Sequence, residues 1–186
     1  MKNVLLTNAT YIKSLTNISD NVSEKYMFPT INEAQEIELK HVIGSALLEK
    51  LKDLVVDQTI NDPENEVYKD LLLNCQFFIA YVVVSKLTLV LSYKIDNVGT
   101  YRTADENMTY SSMRDVQTMQ EYYQDKADFF KLELQNYCLN NRSKLPELTE
   151  NQIHSIKSNL YSAETCGIFL GGARSKRIIT PDCYRK

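Results

Sequence analysis

Apolar residues recur at steps of three and four along the two longest uninterrupted stretches of the chain, which is the spacing of one helix face. The first stretch opens at Asp62-Pro63, where Asp suits the N-cap and Pro the first turn, and it meets no further Gly or Pro before about Tyr93. Two neighbouring apolar stripes follow, made of Val67, Leu71, Cys75, Phe78 and Val82, and of Leu72, Ile79, Val83, Leu87 and Val90. A face this wide predicts a helix buried on more than one side. The β-branched run Val82–Val84 favours a strand locally, but about 30 residues without a turn signal favour a helix.

A second stretch of the same kind begins at Ser111 or Ser112 and ends near Asn140-Asn141. Its apolar positions are Val116, Met119, Tyr123, Ala127, Phe130, Leu134 and Tyr137. Each of the two helices is expected to be about 40–45 Å long at a rise of about 1.5 Å per residue. Equal length and adjacency in the sequence predict an antiparallel pair. The link from Lys94 to Tyr110 is long for a bundle connection, and residues 95–101 within it are candidates for a short hairpin.

Shorter helices are predicted on either side of this pair. Thr7 or Asn8 caps one that ends near Leu15, and the polar residues 16–25 form a loop. Pro29 and Thr30 open the next, because Thr30 followed three residues later by Glu33 is a capping-box pattern. A break at 41–44 separates it from an amphipathic helix, and a turn-rich acidic stretch covers 57–66. The apolar positions of the amphipathic helix are Leu47, Leu48, Leu51, Leu54 and Val55. A last short helix is predicted from Thr149 to Leu160.

The character of the chain changes at Tyr161. Three of the five glycines follow it, at 167, 171 and 172, and they bracket apolar, β-prone clusters at Ile168-Phe169-Leu170 and Ile178-Ile179. We therefore predict two parts, a helical bundle domain over 1–160 and an extended basic C-terminal arm over 161–186. The predicted fold is all-α, a bundle dominated by the two long antiparallel helices, with an arm able to pair as short β-strands. The arm either docks on another chain or packs back on its own bundle.

Charge separates the same two parts. Residues 174–186 carry five basic side chains and one acidic one, a net +4, which leaves −7 for the rest of a chain whose net charge is −3. This balance argues against a dedicated nucleic-acid binder, which would be basic overall. An acidic body with a basic tail indicates that the tail meets something negative, although a solvated, frayed terminus gives the same pattern.

The sequence contains no recognisable catalytic motif. We therefore predict that the protein has no catalytic, cofactor or metal site and that it is not an enzyme. Neither His41 nor His154 accompanies a nucleophile signature, and no phosphate-binding glycine motif occurs. The carboxylates Glu36 and Glu38 are predicted to lie on a solvated helix face. Cys75 and Cys138 lie on apolar stripes and are predicted to be core residues, without zinc-ligand spacing. An enzyme with an unfamiliar site stays open as an alternative.

Membrane association is not predicted either. No signal peptide is visible after Lys2. The longest apolar run, Phe77 to Val84, is followed by Ser85 and Lys86 and then by Leu87 to Leu91, and the whole stretch is too short to span a bilayer and contains a lysine. We therefore predict that this apolar stretch is a buried core helix of a soluble protein. The chain also carries twelve tyrosines, and half of them fall on or beside the long helices: Tyr81, Tyr93, Tyr110, Tyr122, Tyr123 and Tyr137. Tyrosine is enriched at protein interfaces, but half-buried helix positions explain them equally well.

The order of these segments resembles a known family. The segments are Pro29 to Gln35 (PTINEAQ), Gly44 to Leu51 (GSALLEKL), Pro146 to Leu148, and Gly167 to Gly172 (GIFLGG), with the two long helices between the second and third. In this order they resemble the head–tail connector (adaptor) proteins of tailed bacteriophages, and among these the version found in crAss-like phages of gut Bacteroidales. The matching pieces are helix-packing patterns and contain no catalytic signature.

The resemblance implies a structural virion protein. Such proteins form a ring, typically a dodecamer, beneath the portal protein. The ring joins the portal to the tail and extends the channel through which DNA passes without sequence-specific binding. Expected partners are other copies of the chain, the portal and further tail or ring proteins, with no membrane and no cofactor. The expected location is the head–tail junction of the virion, and the host cytoplasm during assembly.

Contacts to these partners are expected in the arm, an assignment that rests on residue type because no family motif marks them. The expected partner-binding residues are Ile168, Phe169, Leu170, Arg174, Lys176, Arg177, Ile178, Ile179, Tyr184 and Arg185. The alternative function is a non-enzymatic helical protein-binding module, such as a regulatory or assembly factor. Self-assembly separates the two, since a connector forms or joins a ring whereas a module need not.

Overall fold

The computed structural model describes residues 4–96, 99–102, 112–150 and 152–158. In this part the protein is all-α apart from one short hairpin, which confirms the all-α class of the predicted fold. The α-helices are α1 (Ala9–Leu15), α2 (Glu24–Glu33), α3 (Lys40–Ile43), α4 (Ser45–Val56), α5 (Glu66–Ser92) and α6 (Met113–Asn140). A π-helical segment, Ala34–Leu39, joins α2 to α3, and 3-10 turns lie at Thr59–Asn61, Pro63–Asn65 and Arg142–Lys144.

The first helix follows the sequence prediction, and the second does not. Asn8 caps α1 by accepting a hydrogen bond from the Tyr11 backbone amide at 2.7 Å. The predicted start of the second helix at Pro29 and Thr30 is wrong. α2 begins at Glu24, because Ser23 supplies the cap, and Pro29 lies inside the helix. Thr30 is no cap, since its hydroxyl donates to the Tyr26 carbonyl one turn earlier.

Gly44 ends the helical run as predicted. Its φ of 85° is favourable for glycine and strained for most other residues, so the chain turns there before α4 begins. In α4 the predicted apolar face is buried at Leu47, Leu48, Leu51 and Leu54. The 3-10 turns that follow agree with the predicted turn-rich stretch before α5.

Helix α5 begins at Glu66, three residues after Pro63, and the Asp62 side chain makes no capping hydrogen bond. Its buried residues cover a wide face, and half of the most apolar window of Pro63–Ser92 is buried inside the molecule. In the described part of the chain, this is the one helix long and apolar enough to cross a membrane, a property that core helices share.

Helix α6 starts where the sequence predicts. Ser112 and Asp115 form a capping box, in which each side chain accepts a hydrogen bond from the backbone amide of the other residue. Between α5 and α6, strands β1 (Tyr93–Asp96) and β2 (Gly99–Arg102) pair antiparallel, with Tyr93 opposite Arg102 and Asp96 opposite Gly99. The candidate hairpin in the link is therefore present.

Contacts divide the chain into two compact units, Met1–Leu148 and Thr149–Lys186. In the second unit, residues 152–158 are helical, as predicted for this segment. Thr149 and Gln152 cap this helix reciprocally, with the Thr149 amide 2.9 Å from Gln152 Oε1 and the Gln152 amide 3.4 Å from Thr149 Oγ1. The proposed division at 160 lies outside the described residues and stays a prediction.

Both cysteines predicted for the core are fully buried and unpaired. Burial raises the pKa of the Cys75 thiol well above its ordinary value, and it raises the pKa of Cys138 to about 12. A buried thiol that stays protonated is a poor nucleophile, because the thiolate is the reactive form.

We therefore expect iodoacetamide to leave Cys75 and Cys138 unmodified in the folded full chain at pH 8 and to modify both in urea. Peptide-resolved mass spectrometry measures each site separately from Cys166 and Cys183. Modification of Cys75 in the folded protein at the rate seen in urea would contradict the buried position.

Candidate protein-interaction surface

An aromatic cluster spans α5 and α6. The ring of Phe130 on α6 stacks on two rings of α5, with its centroid 5.4 Å from that of Phe77 and 5.0 Å from that of Tyr81. Phe129 meets Phe130 edge to face at 5.3 Å, and Tyr122 meets Tyr123 in the same way at 5.2 Å. Offset-stacked and edge-to-face pairs are the favourable arrangements of such rings, so the cluster holds its members in fixed positions.

One lysine lies among these rings. Lys126 Nζ is 4.4 Å from the ring centroid of Tyr122, 5.6 Å from that of Tyr81 and 5.9 Å from that of Tyr123. A hydrogen bond to Tyr122 is the main reason that the pKa of Lys126 lies above its ordinary value. The ammonium group is thus held near the rings by cation–π attraction.

The outer side of α6 exposes the apolar part of this cluster. Met119, Tyr122, Lys126 and Phe129 follow each other at steps of three, four and three residues, so they lie on one face of the helix. We call these four residues the α6 aromatic face. Met119 is 48% exposed, Tyr122 49% and Phe129 57%, although all three have large apolar surfaces. Large exposed aromatic side chains in a row are typical of a protein-binding surface.

A groove continues this face towards the N-terminal end of α6. It has a volume of about 300 Å³ and is lined by Thr88, Leu91, Ser92, Asp115, Val116 and Met119. Met119 belongs to both, so the groove and the α6 aromatic face form one surface about one turn longer than the face alone.

Acidic side chains border the α6 aromatic face. Asp125 is three residues after Tyr122 and four before Phe129, and Glu133 is four after Phe129, so both lie next to the exposed rings. Between 119 and 133 the helix carries four acids, which also include Glu121 and Asp128, against two lysines. All four acids are exposed. The border of the surface is therefore negative, as a polar rim around an apolar centre often is.

A polar cluster is formed by α4 and the π-helical segment around a buried lysine. Lys52 on α4 has a side chain that is 0% exposed, and its Nζ is 2.7 Å from Glu36 Oε1 and 3.2 Å from Glu49 Oε1. Burial by itself lowers the pKa of Lys52, but the two carboxylates outweigh that effect and hold it above its ordinary value. The prediction that Glu36 lies on a solvated face is wrong, since its side chain is only 25% exposed and pairs with Lys52.

Gln35 connects this cluster to the N-terminal segment. Its Oε1 accepts from the Leu6 amide at 2.8 Å, and its Nε2 donates to the Val4 carbonyl at 2.8 Å and to Glu36 Oε1 at 3.1 Å. Gln35 and Glu36 both lie in the π-helical segment, whose extra residue per turn changes the direction of its side chains. The network fixes residues 4–6 against the helices, which is a structural role.

The ten partner-binding residues predicted in the arm lie outside the described residues. Of the six tyrosines near the long helices, Tyr110 also lies outside them. Tyr123 is buried, Tyr81, Tyr93 and Tyr137 are half-buried, and Tyr122 is exposed. The interpretation as half-buried helix residues therefore fits Tyr81, Tyr93 and Tyr137, whereas the exposed Tyr122 is available for an interface. None of the four residues of the α6 aromatic face is among the predicted site residues, and only Tyr122 is considered for an interface, although the doublets Tyr122-Tyr123 and Phe129-Phe130 are a usable signal.

Within the described residues, no group of three or more His, Cys, Asp or Glu side chains is arranged to hold a metal ion. His41 and His154 are exposed. Together, the all-α fold and the exposed aromatic surface define a helical protein with a candidate protein-binding face. Residues 39–155, more than half of the chain, match a family of unknown function (DUF6712), and the protein belongs to that family. No curated protein and no solved structure matches the chain significantly.

The family match covers α3 to α6 and therefore includes the whole α6 aromatic face. Lys52 lies inside the match and Glu36 outside it. Residues 161–186 also lie outside the match.

Proposed function

We propose that the protein is a non-enzymatic virion protein, a subunit of the head–tail connector ring of a tailed bacteriophage. In this role it joins the portal to the tail and extends the DNA channel. The observation that carries the proposal is the α6 aromatic face, because exposed apolar side chains grouped on one helix face, here Met119, Tyr122 and Phe129, form a surface for binding protein. The resemblance of the PTINEAQ, GSALLEKL and GIFLGG segments to connector proteins gives that binding surface its context.

The finer architecture of the proposal is a bundle dominated by an antiparallel pair, α5 and α6. Three contacts support it. Near the start of α5, the Val67 carbonyl accepts from Tyr137 at 2.9 Å. In the middle, Phe77 stacks on Phe130. Later in α5, the Ser85 hydroxyl donates to the Gln120 carbonyl at 3.2 Å. Residue numbers that increase along α5 are thus paired with residue numbers that decrease along α6, as expected for an antiparallel pair.

Charge supports the channel role. The body of the chain outside residues 174–186 has a net charge of −7. An acidic wall repels the phosphate backbone, so DNA slides past without being held, whereas a basic wall would bind it. The ring is proposed to be a dodecamer at the head–tail junction of the virion, assembled in the host cytoplasm with the portal and further tail proteins.

The solution mass of the full chain tests the proposal. We expect a discrete ring, either of the chain alone or in a stoichiometric complex with the portal ring of the same phage, as measured by native mass spectrometry. Replacing Tyr122 and Phe129 together by Ser is expected to weaken assembly at least tenfold, because both side chains contribute exposed aromatic area.

Phe28→Ser is the matched control, since Phe28 is 44% exposed and belongs to α2 and not to the α6 aromatic face. We expect this variant to assemble like the natural chain. A chain that stays monomeric both alone and with the portal contradicts the connector proposal. If that monomer instead binds another protein through Tyr122 and Phe129, the helical binding module is the better description.

A further inference from the structure

We propose that the α6 aromatic face receives the C-terminal segment, residues 161–186, of a neighbouring copy of the chain. The inference rests on the proposed function, because a ring places copies side by side. It adds which surface accepts the segment and from which chain the segment comes.

The dimensions of the face fit a short extended segment. Met119 and Phe129 are ten residues apart on α6, about 15 Å at 1.5 Å per residue. An extended chain covers that distance with about five residues at 3.3 Å each. The C-terminal segment contains two apolar clusters short enough to lie within that distance, Ile168-Phe169-Leu170 and Ile178-Ile179. Aliphatic and aromatic side chains of this kind pack well between exposed rings such as Tyr122 and Phe129.

Charge favours this occupant over the others. The segment ends in a stretch of net charge +4, whereas the helix from 119 to 133 carries four acids and two lysines. One of those lysines, Lys126, is already engaged by three tyrosine rings. Two copies of α6 packed together through this face would bring the acids that border one face close to those that border the other, and nucleic acid would meet the same acids. Complementary charge selects the basic segment and disfavours both alternatives.

Length allows the segment to reach another copy. Residues 161–186 number 26 and span up to about 90 Å when extended, against about 42 Å for the 28 residues of α6. In a ring, the high effective concentration of neighbouring copies makes even a weak contact of this kind persistent. The contact would then link each subunit to the next.

Photo-crosslinking of the full chain tests this. A benzoylphenylalanine probe replaces Phe129 in unlabelled chain, which is mixed before assembly with an excess of ¹⁵N-labelled chain that lacks the probe. After irradiation, mass spectrometry identifies the crosslinked peptide and its isotope. We expect peptides from 161–186 that carry the heavy label. Light peptides alone would mean that the chain's own segment occupies the face, and crosslinks to other segments or none would mean that a different occupant or no occupant is present; each overturns the inference.

Two controls keep the outcome specific. The same probe at Phe28, which is also exposed, is expected to give no crosslink to 161–186. Asp125→Lys is expected to lower the yield from position 129 about fivefold at low salt, whereas Glu64→Lys, an exposed acid elsewhere, leaves it unchanged. An Asp125→Lys yield equal to that of the natural chain would overturn the charge argument.

The crosslink and the portal experiment fail independently. A ring that binds the portal but gives no heavy crosslink to 161–186 overturns this inference and leaves the connector proposal intact. A chain that neither assembles nor binds the portal overturns the proposed function itself.

Discussion

Replacing Lys52 by Met is expected to lower the free energy of unfolding by about 3 kcal/mol at pH 7. Met keeps most of the volume of the buried stem but removes the ammonium group, so the Glu36 carboxylate loses the partner 2.7 Å away. Breaking a buried ion pair from one side is costly because it leaves an uncompensated charge. The value is at the lower end of the usual range, since a quarter of the Glu36 side chain reaches solvent.

The loss is expected to depend on pH. Burial raises the pKa of Glu36, but hydrogen bonds from Lys52 and Gln35 outweigh it and hold the pKa below the ordinary value of 4.5. A lowered folded-state pKa adds stability above 4.5 that disappears as the pH falls through the folded value. In the Met variant the carboxyl group keeps its burial and loses its main partner, so protonation relieves the cost. The difference between the two proteins should therefore shrink between pH 7 and pH 4.

Urea unfolding at fixed protein concentration measures both effects. Lys25→Met is the matched control, because Lys25 lies exposed on α2 and its replacement should change stability by no more than about 0.5 kcal/mol. Adding Glu36→Gln to Lys52→Met should recover part of the loss, since the buried charge is then gone. Equal losses for Lys52→Met and Lys25→Met would show that the ion pair contributes nothing.

Local patterns predicted most helix positions because each depends on residues close together in the chain. The capping box at Ser112 and Asp115, and the glycine break at Gly44, are signals of this kind. The start of α2 was placed wrongly because Pro29 is a strong local signal for a first turn, whereas Ser23 gave a weaker one for the true cap.

The buried ion pair was not predictable because its members are 16 residues apart and belong to different helices. Lys52 follows Leu51 in a pattern that leaves it at the edge of the apolar stripe, where a lysine is normally solvated. Only the packing of α4 against the π-helical segment brings Glu36 to it. Sequence spacing gives no information on such a contact.

The exposed residues of the candidate surface could not be predicted from the sequence for the same reason. Consecutive helix residues point about 100° apart, so in each aromatic doublet of α6 one ring turns inward and the other outward. Tyr123 is buried and Tyr122 exposed, whereas Phe130 stacks on α5 and Phe129 reaches solvent. Which member of each doublet is exposed depends on where α5 packs against α6. That packing is tertiary structure, which the local sequence does not give.

The proposed antiparallel order of α5 and α6 leads to the other large effect. Leu71 on α5 and Leu134 on α6 are both fully buried. Val67 with Tyr137 and Phe77 with Phe130 are the contacts that support the proposed antiparallel order, and that order would place these two leucines opposite each other. Each Leu→Ala replacement is expected to lower the free energy of unfolding by about 3 kcal/mol, because it removes buried methyl groups and leaves a cavity. Leu73→Ala, at an exposed position of α5, should cost well under half of that.

A double-mutant cycle built on these variants tests whether α5 and α6 run antiparallel. If the two leucines touch, the double variant departs from additivity by at least about 0.5 kcal/mol, because both replacements open one shared cavity. Val116, near the start of α6, is the contrasting partner, and Leu71→Ala with Val116→Ala should be additive within about 0.5 kcal/mol. Coupling of Leu71 to Val116 and not to Leu134 would require the start of α5 to lie beside the start of α6. That order belongs to a parallel pair, so urea unfolding of these variants distinguishes the two arrangements without any structure determination.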